Sequence, residues 1–378
     1  MIIRLAKDCY TQDEPYGMTT CYVHSRNDFF VLPTSVVALA KSRKQFDFKT
    51  LDEDTRQTIE LACRTGVIQS PNLDIHEGSY RGPGLIGSLE PPHPSFPYVL
   101  NCFSTAHCPL KCQYCYADDL MMQLRAGETH GQIADLKESI RQIPAMTYVI
   151  TGGDPITSPE RSFELIKFIA KIGKPLVFDT SGVGNISKFI KVLKDSNSHV
   201  RISFDSTHID TNNKLRPLNV KYKNSYNGLA QCNTFEFAMH AIDVCINNDI
   251  PTTVQTVVTN VNETELEDIA RILIKIGVKN WVLHYMVEAG AGLVSYNRIS
   301  PGSRAKERIK SIFSIANSEK WPLDIRCTYA TESKNSVLLL NSNGDLYTEG
   351  HSSHGKRLIY RPGDPTDGEF YWKHVNRM

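Results

Sequence analysis

The chain has 378 residues, 41% of them hydrophobic and 22% charged, with a net charge of +1. Such a balance suits a globular protein with ample core, and no global charge directs it to nucleic acid or an anionic membrane surface. The opening stretch lacks the apolar segment of a secretory signal and no apolar run reaches transmembrane length. The ten cysteines are too scattered for a disulfide framework, so a reducing, cytoplasmic setting is expected.

Residues 1–68 read as a small α+β unit. Thr20–His24 and Phe29–Leu32 are β-prone runs around the turn Ser25–Asp28, and Thr50-Leu-Asp-Glu53 is a capping box for a helix with Leu51, Thr55, Ile59 and Ala62 on one stripe. A hairpin followed by helices resembles the winged-helix-like module that recognises leader peptides in peptide-modifying systems; a subdomain that only packs on the main one is the competing reading. Residues 69–97 hold six prolines and four glycines, which marks a linker.

From Tyr98 a strand–helix rhythm sets in. Strands are predicted at Tyr98–Phe103, Thr147–Thr151, Leu176–Thr180, Val200–Ser206, Thr252–Thr259 and Trp281–Tyr285. Helical stretches lie between them, with start signals at Ser158-Pro159 and at Asn262-x-x-Glu265. Six alternating units predict an α/β fold, a parallel sheet wholly or partly closed into a (βα)6 TIM-like barrel over 98–294. Residues 295–378 are expected to form an α+β extension, with a helical stripe at Ile309, Ile312, Phe313 and Ala316 and strands at Leu323–Cys327 and Val337–Leu340.

Directly after the first predicted strand stands His107-Cys108-Pro-Leu-Lys-Cys112-Gln-Tyr-Cys115. Three thiolates can hold three irons of a 4Fe–4S cube and leave the fourth open. Zinc held by the same thiolates and His107 is the alternative, although structural zinc usually takes paired C-x2-C knuckles and this chain has no second pair. Chance clustering of buried cysteines also remains open.

Cysteines spaced C-x3-C-x2-C with aromatic Tyr114 before the last one resemble the signature of the radical S-adenosylmethionine (radical SAM) superfamily. That resemblance implies a 4Fe–4S cluster on Cys108, Cys112 and Cys115, with SAM chelating the open iron. It further implies cleavage of SAM to methionine and a 5′-deoxyadenosyl radical, which takes hydrogen from a substrate. Thr151-Gly152-Gly153-Asp154-Pro155 at the end of the second strand is similar to the family's Gly-Gly-Glu-Pro segment, with Asp for Glu, and implies that Gly152, Gly153 and Asp154 hold the amine of SAM. Period-two alternation puts Arg201, Ser203 and Asp205 on one face of the fourth strand. The family's Ser-x-Asp there implies ribose contacts from Ser203 and Asp205. Tyr114, His284 and Met286 are assigned to the adenine and substrate side, although a satisfied interior histidine is an equal reading of His284.

The extension resembles the SPASM or twitch domains of peptide-modifying and sulfatase-maturase relatives, but Cys327 is the only cysteine after 294, so no auxiliary cluster is expected. Cys327, Tyr329 and Tyr347 are candidates to quench a product radical. The first substrate reading is a ribosomally made peptide, served by a flavodoxin or ferredoxin as electron donor. A small molecule or nucleotide, met by Lys214, Arg216, Lys221 and Lys223, is the second, and a metal-stabilised non-catalytic binding protein the third. Neither nucleic acid nor membrane is an expected partner.

Overall fold

The computed structural model describes residues 1–71, 96–125, 132–219, 233–328, 337–348 and 356–364. Its first part comprises β1 (Arg4–Leu5), β2 (Cys9–Glu14), β3 (Met18–Val23), β4 (Asp28–Pro33), α1 (Thr34–Ser42), α2 (Glu53–Arg64) and β5 (Ile68–Gln69). β2, β3 and β4 make an antiparallel meander, so the expected hairpin is the second half of a three-stranded sheet. Leu32, Val36, Val37, Ile59 and Ala62 share a core of their own. α2 starts from Asp52, which accepts from the Thr55 N–H at 2.8 Å, rather than from the expected Thr50. Thr50 instead ends a 3-10 turn capped by Asp47.

The main sheet opens with β6 (Val99–Thr105). There follow α3 (Asp118–Arg125), α4 (Ile133–Gln142), β7 (Thr147–Gly152), α5 (Pro159–Lys171), β8 (Leu176–Thr180), α6 (Ile190–Asp195) and β9 (His199–Ser203). Next come α7 (Ile209–Leu215), α8 (Thr234–Asn247), β10 (Thr252–Val258), α9 (Leu266–Lys275), β11 (Asn280–Tyr285), α10 (Gly292–Ile299) and α11 (Ala305–Ser318). The last strands are β12 (Asp324–Thr328), β13 (Val337–Leu340), β14 (Leu346–Thr348) and β15 (Leu358–Tyr360).

The strand order is β12-β11-β10-β9-β8-β7-β6-β13-β14-β15, parallel from β12 to β13 and antiparallel over the last two strands. The protein is thus a mixed α/β fold around a large, mostly parallel sheet, the partial TIM-like barrel expected. Two described strands after residue 295 belong to the same sheet: β12 lengthens it beyond β11, and β13 lies parallel to β6 on the opposite flank. A short apolar run reads as a strand locally, but its partner is chosen by tertiary packing alone.

Strand alternation decides what faces where. Leu100, Cys102, Ile150, Phe178, Ile202, Val254, Trp281, Leu283 and Ile325 point outward into the core beneath the helices. α9 meets them with Leu266, Ile269, Ala270 and Leu273, the i, i+3, i+4, i+7 stripe of an amphipathic helix. Asp179, Arg201, Ser203, Gln255, His284 and Arg326 take the alternate positions and line the inside, where Arg201 pairs with Asp179 at 2.7 Å.

The turn after β3 plugs the N-terminal end of this barrel. Arg26 pairs with Asp324, Arg326 with Asp28 at 2.7 Å, and Asn280 reaches the Ser25 carbonyl at 3.4 Å. His24 Nε2 donates to the Asn197 carbonyl at 2.7 Å, and His199 Nδ1 donates to the His24 carbonyl at 2.9 Å. Burial lowers the affinity of both rings for a second proton.

Candidate active site

The cysteine loop, 106–117, leaves the C-terminal end of β6, the end at which such barrels bind ligands. Four neighbouring segments clamp its backbone. On one side Gly153 N–H donates to the Thr105 carbonyl at 2.7 Å and Asp154 N–H to the His107 carbonyl at 2.8 Å. On another, Lys111 N–H donates to Pro217 at 2.8 Å and Gln113 N–H to Leu215 at 3.0 Å. Ala291 N–H reaches the Cys115 carbonyl at 2.8 Å, and Ser295 Oγ the Gln113 carbonyl at 2.6 Å. Lys356, its side chain only 3% exposed, donates to the Tyr116 carbonyl and pairs with Asp119 at 2.7 Å.

Glycine permits two of these contacts. A Cβ on Gly153 would sit 2.0 Å from the His107 oxygen, and one on Gly290 would sit 2.4 Å from the Cys115 oxygen. Gly152, at φ +125°, is in a conformation that side chains rarely adopt. Gly152 and Gly153, which the resemblance assigns to the amine of SAM, also give the end of β6 and the start of the cysteine loop room to approach.

Cys108, Cys112 and Cys115 are free thiols, half buried in that loop. Burial, then Asp154 and the two neighbouring thiols, pushes Cys108 well above its ordinary range, and burial pushes Cys112 up to about 11. Among the described residues no three His, Cys, Asp or Glu side chains converge as a cage for one ion. Ligands that each hold a different iron of a cube need not converge. Sulfur donors, no disulfide and a clamped loop fit an iron–sulfur cluster.

Asp154 is buried and fully engaged. One carboxylate oxygen accepts from Thr180 Oγ1 at 2.8 Å and Ile156 N–H at 3.1 Å; the other accepts from Ser181 N–H at 2.9 Å and Ser181 Oγ. The ends of β7 and β8 are thereby tied together, and an ammonium group would add to or displace these donors. Asp205 is buried. Its carboxylate accepts from Tyr114 O–H and from Val257 N–H at 2.8 Å, and stands 3.6 Å from the buried guanidinium of Arg216. Burial opposes the charge of Arg216, but Tyr114, Asp205 and the thiols of Cys112 and Cys108 outweigh it and keep the guanidinium protonated. Its Nη1 is buried without a hydrogen-bond partner.

Ser203 faces the interior beside Gln255. His284 donates from Nε2 to Gln255 Oε1 at 3.0 Å and accepts at Nδ1 from Thr328 Oγ1 at 2.7 Å, which fixes a neutral tautomer. Met286 packs against Leu215, Ile299 and Tyr114 under the cysteine loop. Tyr347 flanks that loop, packed with Cys108, Cys115 and Tyr116. Cys327, by contrast, points to the other face of the sheet and is buried in the helix-side core, away from the interior. Tyr329, Lys221 and Lys223 lie outside the described residues.

Arg216 is no solvated basic loop residue but a buried partner of Asp205, a role its sequence neighbourhood does not announce. Thr180 and Ser181 were also missed. Their available signal was position: hydroxyls at the C-terminal end of a strand, where ligand-side groups gather in this architecture. Asn262, expected to cap a helix, instead accepts from Thr259 N–H at 2.8 Å and donates to the Asp205 carbonyl at 2.8 Å, so it joins two strand ends.

This geometry, a cysteine loop at the first strand's end of a partial α/β barrel, defines a class of enzyme. Residues 103–273 match the family model of the radical SAM superfamily, a family of enzymes whose cofactors are a 4Fe–4S cluster and SAM. Pre-heme d1 synthase of Dinoroseobacter shibae is 25% identical over 205 residues, 54% of this chain and 46% of that protein. AdoMet-dependent heme synthase of Methanosarcina barkeri is 22% identical over 199 residues, 52% of each chain. The chain thus spans about half the length of the curated relatives it matches. SuiB of Streptococcus suis, solved with its precursor peptide SuiA, shares the fold at a TM-score of 0.57 and 13% identity, over 91% of this chain and 82% of that one. The structure named as anSMEcpe with bound AdoMet does so at 0.54 and 16%, over 74% and 81%.

Proposed function

We propose that this enzyme binds SAM at the mouth of the barrel and uses it to abstract hydrogen from a ribosomally made peptide in the cytoplasm. The observation that carries this reading is the cysteine loop, clamped on four sides against the ends of β7 and β11. The cofactors, once bound, supply the 5′-deoxyadenosyl radical. Cys108, Cys112 and Cys115 would hold the irons as thiolates, and burial of Cys108 and Cys112 opposes the loss of their protons. Loading therefore releases protons and strengthens as pH rises. Nη1 of Arg216, which stands 3.6 Å from Asp205 without a hydrogen bond, offers a charged donor to a carboxylate beside the thiols. Ser203, Gln255 and His284 offer hydrogen-bonding groups further inside. The peptide reading is supported by the fold shared with SuiB along most of the chain and by a separately cored N-terminal unit.

A second reading, a small-molecule substrate, is favoured by the sequence matches to two proteins named as heme synthases. One experiment addresses both. The protein is reconstituted anaerobically with iron and sulfide, given SAM and a reductant, and 5′-deoxyadenosine is quantified beside Cys112→Ala. Turnover that depends on the intact triplet supports the radical reaction, and its absence refutes it. Stimulation by a peptide encoded nearby or co-purified, with a change in peptide mass, supports the first substrate; stimulation by a tetrapyrrole alone overturns it.

A further inference from the structure

Around Gln113, the residue between Cys112 and Tyr114, lies a cleft of about 330 Å³ lined by Gln113, Lys214, Asn260, Val261, Arg298 and Ile299. Two of those side chains are cationic and none is a carboxylate. Gln113 gathers the basic residues: its Nε2 donates to the Lys214 carbonyl at 2.6 Å, and its Oε1 accepts from Arg298 Nη2 at 3.4 Å. Exposed Lys111 is two residues away on the same loop, held beside Pro217. Among the described residues no ion pair engages Lys111, Lys214 or Arg298. Asp210, one turn before Lys214 on α7, is exposed as well and pairs with neither lysine. Beside the charges stands bare apolar surface, with Val294 90% exposed and Leu293 54% exposed on α10. Val294 and Arg298 are four residues apart and share a face of that helix.

An uncompensated basic rim next to exposed aliphatic side chains fits an acidic protein partner: the charges steer the encounter and the apolar pair is covered on contact. Its location selects which partner. The cleft backs directly onto the peptide of Cys112, so an electron entering here crosses one residue to reach the thiolate site rather than the depth of the barrel. We propose that Lys111, Lys214, Arg298 and the Val294 surface form the docking face for an acidic one-electron donor of the flavodoxin class. This rests on the cluster reading above. The step balances simply: the flavin hydroquinone becomes a semiquinone, the cluster gains that one electron, and the flavin proton stays with the donor or passes to water.

The test compares wild type, the triple variant Lys111→Glu/Lys214→Glu/Arg298→Glu and the charge-preserving variant Lys111→Arg/Lys214→Arg/Arg298→Lys, each reconstituted anaerobically. Cluster reduction is followed by loss of visible absorbance and by EPR, with either flavodoxin hydroquinone or the small neutral reductant photoreduced 5-deazariboflavin. Charge reversal should slow reduction by flavodoxin about tenfold or more, within the range of electrostatic steering, and invert its salt dependence. The charge-preserving variant should match wild type, and deazaflavin should reduce all three alike. Equal flavodoxin rates in wild type and the reversed variant overturn the docking face. Intact flavodoxin reduction with lost substrate-dependent 5′-deoxyadenosine assigns the face to the substrate and overturns it too. A wild type that takes no electron even from deazaflavin refutes the cluster reading, and the docking face falls with it.

Discussion

Replacing Gly153 by alanine tests the claim that the end of β7 holds the cysteine loop in place. The added Cβ would lie 2.0 Å from the His107 oxygen, 2.3 Å from its carbonyl carbon and 2.9 Å from the Ala106 carbonyl carbon. Real Cβ contacts stay beyond roughly 3 Å, so the His107 carbonyl must retreat by about 1 Å, in the manner of an overpacked core. That carbonyl also accepts from Asp154 N–H at 2.8 Å and from Thr157 Oγ1 at 3.1 Å, and both bonds are lost as it moves. Overpacking costs about 1–3 kcal/mol and two hydrogen bonds about 1 kcal/mol each, for roughly 3–5 kcal/mol in all. Cys108 is the next residue and shifts with its neighbour. Denaturant unfolding of the metal-free protein should show the loss of stability, and iron and sulfide analysis after reconstitution should show substoichiometric loading. Gly173→Ala is the control: its Cβ meets nothing within 4 Å, although its φ of +72° makes any side chain mildly strained there. Gly153→Ala with wild-type stability and a full complement of iron would refute the clamp.

Asp154→Asn keeps the shape but turns an acceptor into a donor opposite Thr180 or Ser181. A loss of about 2–3 kcal/mol is expected in the same unfolding assay. Arg216→Leu leaves Asp205 buried without its cation and should cost about 3–5 kcal/mol, whereas joint removal with Asp205→Asn should recover part of that loss in a double-mutant cycle. Burial lowers the pKa of His24, His199 and His284, that of His284 to about 3. Because the unfolded chain binds these protons near pH 6.5 and the folded one does not, stability should be full above about pH 6.5 and fall as pH drops below it. Unfolding free energies at pH 7.5, 6 and 5 check this, and a flat profile would contradict it. Removing the plug ion pair with Arg326→Ala should cost about 1–3 kcal/mol, discounted for its partial exposure, and the loss should shrink if Asp28→Asn is made as well.

Much of the fold was legible in the sequence because its signals are local. Strand–helix alternation located the parallel strands from β6 to β11, and the apolar period of α9 is visible at four positions. The triplet Cys108, Cys112, Cys115 stood out as a candidate cluster site by residue type and spacing, both properties of a single short segment. Three-dimensional packing decided the rest. It placed β12 and β13 on opposite flanks of one sheet, which no local pattern specifies. It turned Cys327 toward the helix-side core, since a one-residue change of register sends a side chain to the opposite face. It drew Arg216 inward to Asp205 and Tyr114, although a basic residue near the end of a helix looks solvated when read alone. It also showed that Gly153 and Gly290 leave room for other parts of the chain, because a missing Cβ says only that something comes close. Residue type and spacing therefore marked the candidate site, while the partners of each buried charge and the faces of its strands depended on long-range contacts that only the folded chain makes.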